Sequence, residues 1–79
     1  MEPKVDKELN LKGNVCPYNF VFAKQALHDL GNEKILKLIV DDPLAVTEVP
    51  RGIEADGHEV LSVRQLNKTD WEILVKKKE

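Results

Sequence analysis

The chain contains a single cysteine, Cys16, among 79 residues. One thiol excludes an internal disulfide framework and a cysteine-based zinc cage. Charge of one sign is also lacking: 12 Lys and Arg stand against 14 Asp and Glu, a net of −2. That balance supplies no strong field for direct nucleic-acid binding and no reason to invoke a membrane surface. Long apolar runs are missing too. The longest span a few residues, such as Leu38–Val40, so no transmembrane helix is expected. The N-terminal Met-Glu-Pro-Lys-Val-Asp lacks the apolar centre of a signal peptide, which points to the cytoplasm. The length excludes a large enzyme with an internal substrate domain. It predicts one domain over 1–79, with 1–4 and 77–79 frayed, and a core between two layers.

Val5, Lys7, Leu9 and Leu11 alternate with polar residues, the period of a short strand with Lys7 as the polar break on its inner face. Lys12-Gly13-Asn14 reads as a turn. Phe20, Ala23, Leu27 and Leu30 recur at helical spacing, so a helix runs from Pro17 or Tyr18 to Leu30, with Gly31-Asn32 as its stop. That helix buries Phe20 and leaves Phe22 partly exposed. Ile35 to Val40 reads as a central strand. Asp42 and Pro43 form an N-cap and first helical residue. Pro50 and Gly52 then predict a kink or two short segments, near 43–49 and 50–56, with Gly57 ending them. Glu59–Leu66 and Trp71–Val75 form an antiparallel hairpin across the polar turn Asn67-Lys68-Thr69-Asp70. The order β-α-β-α-β-β predicts an α/β (α+β) two-layer sandwich, a four-stranded mixed sheet with two helices on one face. Leu74 then points to the open face, a candidate partner surface.

Cys16 lies just ahead of the first helix. Free N–H groups and the helix dipole at such an end favour a thiolate. With no second cysteine to resolve it, that thiolate suits a group carrier better than a dithiol oxidoreductase. The competing reading is a small buried hydrophobe. No dyad supports an enzyme: His28 lies about three helical turns from Cys16, and His58 reads as structural or solvated. Asp41 reads as solvated and Lys76 to Lys78 as a solvated tail. Tyr18 is either a docking contact or an ordinary surface tyrosine.

Leu11-Lys12-Gly13-Asn14-Val15-Cys16-Pro17, Asp41-Asp42-Pro43-Leu44-Ala45, Val49-Pro50 and Gly57-His58-Glu59-Val60 together resemble the TusA/SirA-like sulfur carriers, in order and spacing from about Val5 to Lys76. The resemblance implies that Cys16 bears a persulfide, loaded by a cysteine desulfurase or rhodanese-like donor and unloaded to an acceptor, often a DsrE-like protein. End uses in the family include tRNA thiolation, sulfur oxidation and cofactor synthesis. It further implies that Pro17, Tyr18 and Asn19 form the supporting first helical turn and that Lys24 faces partners. No metal or organic cofactor is implied, and a monomer is expected.

Two positions depart from the family pattern. Cys-Pro-X-Pro becomes Cys16-Pro17-Tyr18-Asn19, replacing a proline by a residue with an N–H and a side-chain amide able to cap or to hydrogen-bond a nearby sulfur. Gly52 stands where many relatives carry an aromatic residue, and is expected to loosen the second helix. The alternatives to a carrier are a non-catalytic regulatory or protein-binding module using the open sheet face or first helix, and a redox-sensing thiol.

Overall fold

A computed structural model describes residues 4–15 and 18–78. Its elements are β1 (Lys7–Asn10), α1 (Tyr18–Asp29), β2 (Ile35–Val40), α2 (Pro43–Ala55), β3 (Glu59–Gln65) and β4 (Trp71–Lys76). The strands form one sheet in the order β1-β2-β4-β3. β1 runs parallel to β2, while β4 is antiparallel to both β2 and β3. This is the expected α+β architecture with a mixed sheet. The first strand is shorter than its alternation suggests. Asp6 instead clamps the start of β2, donating its N–H to Ile35 O and accepting the Ile35 N–H at Oδ2, both at 2.9 Å.

One core lies between the sheet and the helices. α1 contributes Ala23, Ala26 and Leu27, and α2 contributes Ala45, Val49 and Ile53. Leu36, Leu38 and Val40 of β2 meet them beside Ile73 and Val75 of β4. Phe20 is half-buried against this cluster rather than within it, and Phe22 is exposed as expected.

α2 is one uninterrupted helix, not two segments. Asp42 caps it through Oδ1, which accepts the Leu44 N–H, and Pro43 opens it. Pro50 lacks only one interior N–H, and the buried Val49 and Ile53 beside it anchor the helix to the core across that gap. Gly57 follows the helix with φ +94°, a left-handed conformation that glycine adopts without steric cost.

The open sheet face is not an exposed apolar surface. Leu74, paired with Lys37, is only 6% exposed. Beside it the buried Glu72 takes an ion pair from Lys37 at 3.3 Å and two hydrogen bonds from Arg64 Nη2 at 3.2 and 3.3 Å. Long charged side chains cover the apolar atoms between them.

The C-terminal lysines are not a frayed tail. The Lys76 ammonium lies 2.9 Å from Glu33. Lys77 Nζ donates to the carbonyls of His28 and Leu30, satisfying acceptors at the end of α1. Lys78 N–H donates to His58 Nδ1 at 3.0 Å, giving that histidine its structural role.

Candidate functional site

The candidate site is the loop between β1 and α1 with the first turns of that helix. Cys16 and Pro17 lie outside the described residues. Everything on either side of them is held by named contacts.

The loop starts from the buried Leu11, whose N–H donates to Ile39 O. Gly13 has φ +88°, so its N–H can turn toward Asp41, where both carboxylate oxygens accept it at 3.1 and 3.2 Å. Asp41 is therefore a brace for the loop and not a solvated residue. Lys12 adds a second tie at 3.2 Å to Asp70. Asp70 itself is fixed in the β3–β4 turn by Asn67 and Thr69. Hydrogen bonding from Asn67, reinforced by Lys12 and Thr69, holds the Asp70 carboxyl below the usual range, against the opposing effect of its burial.

The start of α1 is anchored from within. Val15 O accepts N–H bonds from Tyr18 at 2.8 Å and Asn19 at 3.3 Å. Asn19 is fully buried. Its Nδ2 donates to Asn14 O at 3.2 Å, tying helix to loop. Its Oδ1 is equally buried and has no hydrogen-bond partner among the described residues. Leaving such an acceptor open costs about 1–3 kcal/mol.

Tyr18, by contrast, is 60% exposed and starts an apolar stripe with Val21 and Phe22. Val15 ahead of the helix and Leu44 at the start of α2 are also exposed. The i, i+3, i+4 spacing of Tyr18, Val21 and Phe22 is the sequence signal for this second, outward-facing stripe. Lys24 lies apart from it. Its ammonium stands 5.8 Å over the Phe20 ring and 3.5 Å from Asp56 at the end of α2. Tyr18, Asn19 and Lys24 thus occupy one helix but three environments: exposed, buried and paired across to the second helix.

The described residues contain no cluster of three or more His, Cys, Asp or Glu able to hold a metal ion. No helix is long and apolar enough to cross a membrane.

The fold is that of a SirA-like protein. The crystal structure of the SirA-like protein from Desulfitobacterium hafniense superposes with a TM-score of 0.81, covering 92% of this chain and 99% of that one at 22% identity. The chain belongs to the family described as Sulfurtransferase TusA, whose model matches residues 7–77. Two similar proteins share the name "Putative sulfur carrier protein". The one from Archaeoglobus fulgidus is 41% identical over 95% of this chain and 85% of its own length. The one from Thermotoga maritima is 33% identical over 95% of both.

Proposed function

We propose that this chain is a cytoplasmic, monomeric sulfur carrier that holds sulfane sulfur as a persulfide on Cys16. The observation that carries the reading is the family match across 7–77, which includes the single thiol of the chain. The braced loop and the exposed apolar start of α1 support it. Exposed apolar side chains at the start of α1, Tyr18, Val21 and Phe22, suit transient protein contact.

The chemistry needs one nucleophile and no cofactor. In loading, the Cys16 thiolate attacks the outer sulfur of a donor persulfide on a cysteine desulfurase or rhodanese-like protein. A new S–S bond forms at Cys16, the donor S–S bond breaks, and the donor cysteine leaves as a thiolate. There is no net oxidation. The acceptor, a DsrE-like protein or another thiol protein, repeats the exchange with Cys16 as the leaving group. tRNA thiolation is one end use of such a relay. The binding-module alternative loses Leu74, which is covered, from its sheet face, but keeps the exposed start of α1 as a surface.

The test is intact-mass spectrometry without reductant, after incubation with a cysteine desulfurase and cysteine and, separately, with a rhodanese and thiosulfate. Gain of one or more sulfur atoms, removed by a thiol reductant and absent in Cys16→Ser, is expected. Loading of Cys16→Ser to the wild-type level overturns the assignment of the sulfur to Cys16. No loading from either donor, while a known carrier loads in parallel, overturns the carrier reading.

A further inference from the structure

A run of hydrogen bonds ties the ends of both helices to the end of β4. The His58 N–H donates to Ile53 O of α2 at 3.2 Å, and the His58 ring accepts the Lys78 N–H at Nδ1 at 3.0 Å. Lys77, one residue back, joins the same stretch to α1 and to the loop that follows it. Its N–H donates to Lys34 O, its carbonyl accepts the Glu33 N–H, and its Nζ donates to the carbonyls of His28 and Leu30. Every acceptor in this run is a backbone carbonyl except Nδ1 of His58. A backbone N–H can only donate, so the Lys78 contact requires a bare lone pair on Nδ1 and places the proton of the neutral ring on Nε2. Protonation fills that lone pair and sets two N–H donors against each other. Turning the ring over presents a C–H instead. The proton and the Lys78 N–H therefore compete for one site.

We propose that His58 is a pH-sensitive clasp for the end of β4: the neutral ring holds the chain at Lys78, and the protonated ring releases it. Imidazoles change charge between about pH 5 and 8, so release needs only mild acid. The clasp works at the far end of α1 from the candidate site, and it stands whether or not the chain carries sulfur.

The charged groups of the elements that meet at His58 make the release local. From the end of β4, the Lys78 ammonium pairs with Glu59 of β3 at 3.4 Å, but both partners are well exposed, so this second tie on Lys78 is weak. Lys76 keeps Glu33 at 2.9 Å, and its hydrogen bond holds the Glu33 carboxyl below the ordinary range, so that pair stays charged in mild acid. On α2, Asp56 is engaged by Lys24 and Glu54 is exposed. The Lys77 ties end on carbonyls that do not titrate. The chain therefore opens at Lys78 while Lys77 stays docked.

The test uses the full chain in a His28→Gln background, which leaves His58 as the one histidine. His28 is exposed and takes part here through its carbonyl, which glutamine retains. Nitrogen NMR of the ring should show the Nε2–H form at pH 8. Between pH 8 and pH 5 the protection of the Lys78 amide, corrected for the intrinsic pH dependence of exchange, should fall by about two- to tenfold. Its proton shift should move with the midpoint of the ring. Protection of the Glu33 amide, which reports on Lys77, should stay constant. In His58→Asn the side-chain oxygen can stand in for Nδ1 and does not titrate, so Lys78 should be held at both pH values. In His58→Phe it should be free at both. A ring carrying its proton on Nδ1 at pH 8, or a Lys78 amide that does not follow the ring titration, overturns the proposal. So does the same acid transition in His58→Asn. The first two results are read with His58 in place, so they decide the matter even if neither His58 variant folds.

Discussion

The ring of Phe20 occupies the space that a side chain on Gly52 would need. A Cβ built on Gly52 would sit 2.5 Å from Phe20 Cε1 and 2.9 Å from Cζ. Glycine here does not loosen α2, as its helix propensity suggests. It lets an aromatic from α1 lie against the α2 backbone, so the aromatic surface is supplied by the neighbouring helix. Gly52→Ala gains about 1 kcal/mol of helix propensity and incurs an overpacking cost of about 1–3 kcal/mol. The expected net is destabilisation by about 0–2 kcal/mol in urea unfolding. In a Phe20→Ala background the clash is gone, and the same change should stabilise by up to about 1 kcal/mol. Equal effects in the two backgrounds would show that the ring moves aside freely.

Glu72 is the buried charge of the open sheet face. Lys37 of β2 and Arg64 of β3 approach it from both neighbouring strands, so it joins three strands. Glu72→Gln keeps the shape and removes the charge, leaving two cations facing a neutral amide. The expected loss is about 1.5–3 kcal/mol, the range for hydrogen bonds to a charged group. Lys37→Met should cost less, because Arg64 still engages the carboxylate. Thermal or urea unfolding checks both, and equal losses for the two variants would refute the shared clamp.

Much of this architecture was legible in residue patterns. β2 matched its apolar run from Ile35 to Val40, and the Asp42-Pro43 cap began α2 where expected. The errors share a cause: they concern residues whose role depends on distant partners. Asp41 looked solvated because Gly13 lies 28 positions away. Lys77 looked like a loose tail because its acceptors, the carbonyls of His28 and Leu30, terminate another element. Gly52 looked weak because propensity is a local property and Phe20 is on another helix. At the candidate site, the family resemblance marked Tyr18, Asn19 and Lys24 together. Tyr18 read as a surface residue either way, but nothing signalled that Asn19 is buried or that Lys24 is paired with Asp56.

Acid should loosen the β3–β4 turn through Asp70. Its carboxyl titrates below the usual range because Asn67, Lys12 and Thr69 favour its charged form. A carboxylate with a depressed folded-state pKa adds stability above its unfolded pKa, and that contribution is lost as pH falls through the folded value. The contribution should therefore be complete at neutral pH and disappear below the ordinary Asp range. Asp70→Asn should lower stability at neutral pH and flatten the acid limb of the stability–pH curve. Parallel acid limbs in the two proteins would assign the acid loss to another group, with Glu33, held low by Lys76, the next to examine.

The tie between Gly13 and Asp41 should control the loop more than the whole fold. The bond is exposed and joins the loop to the end of β2, so its net worth to global stability is about 0.5–1.5 kcal/mol. Locally it has greater leverage, because Gly13 lies between the buried Leu11 and the candidate site. Asp41→Ala should leave the unfolding midpoint near wild type yet speed hydrogen exchange at the Gly13 amide. Exchange at the buried β2 amides should stay unchanged. Asp41→Asn retains one acceptor oxygen and should recover much of the protection, which separates loss of the bond from loss of the charge. If Gly13 exchanges at the wild-type rate in Asp41→Ala, the carboxylate does not hold the loop. The ordering ahead of α1 would then fall to the remaining ties, Lys12 with Asp70 and Asn19 with Asn14.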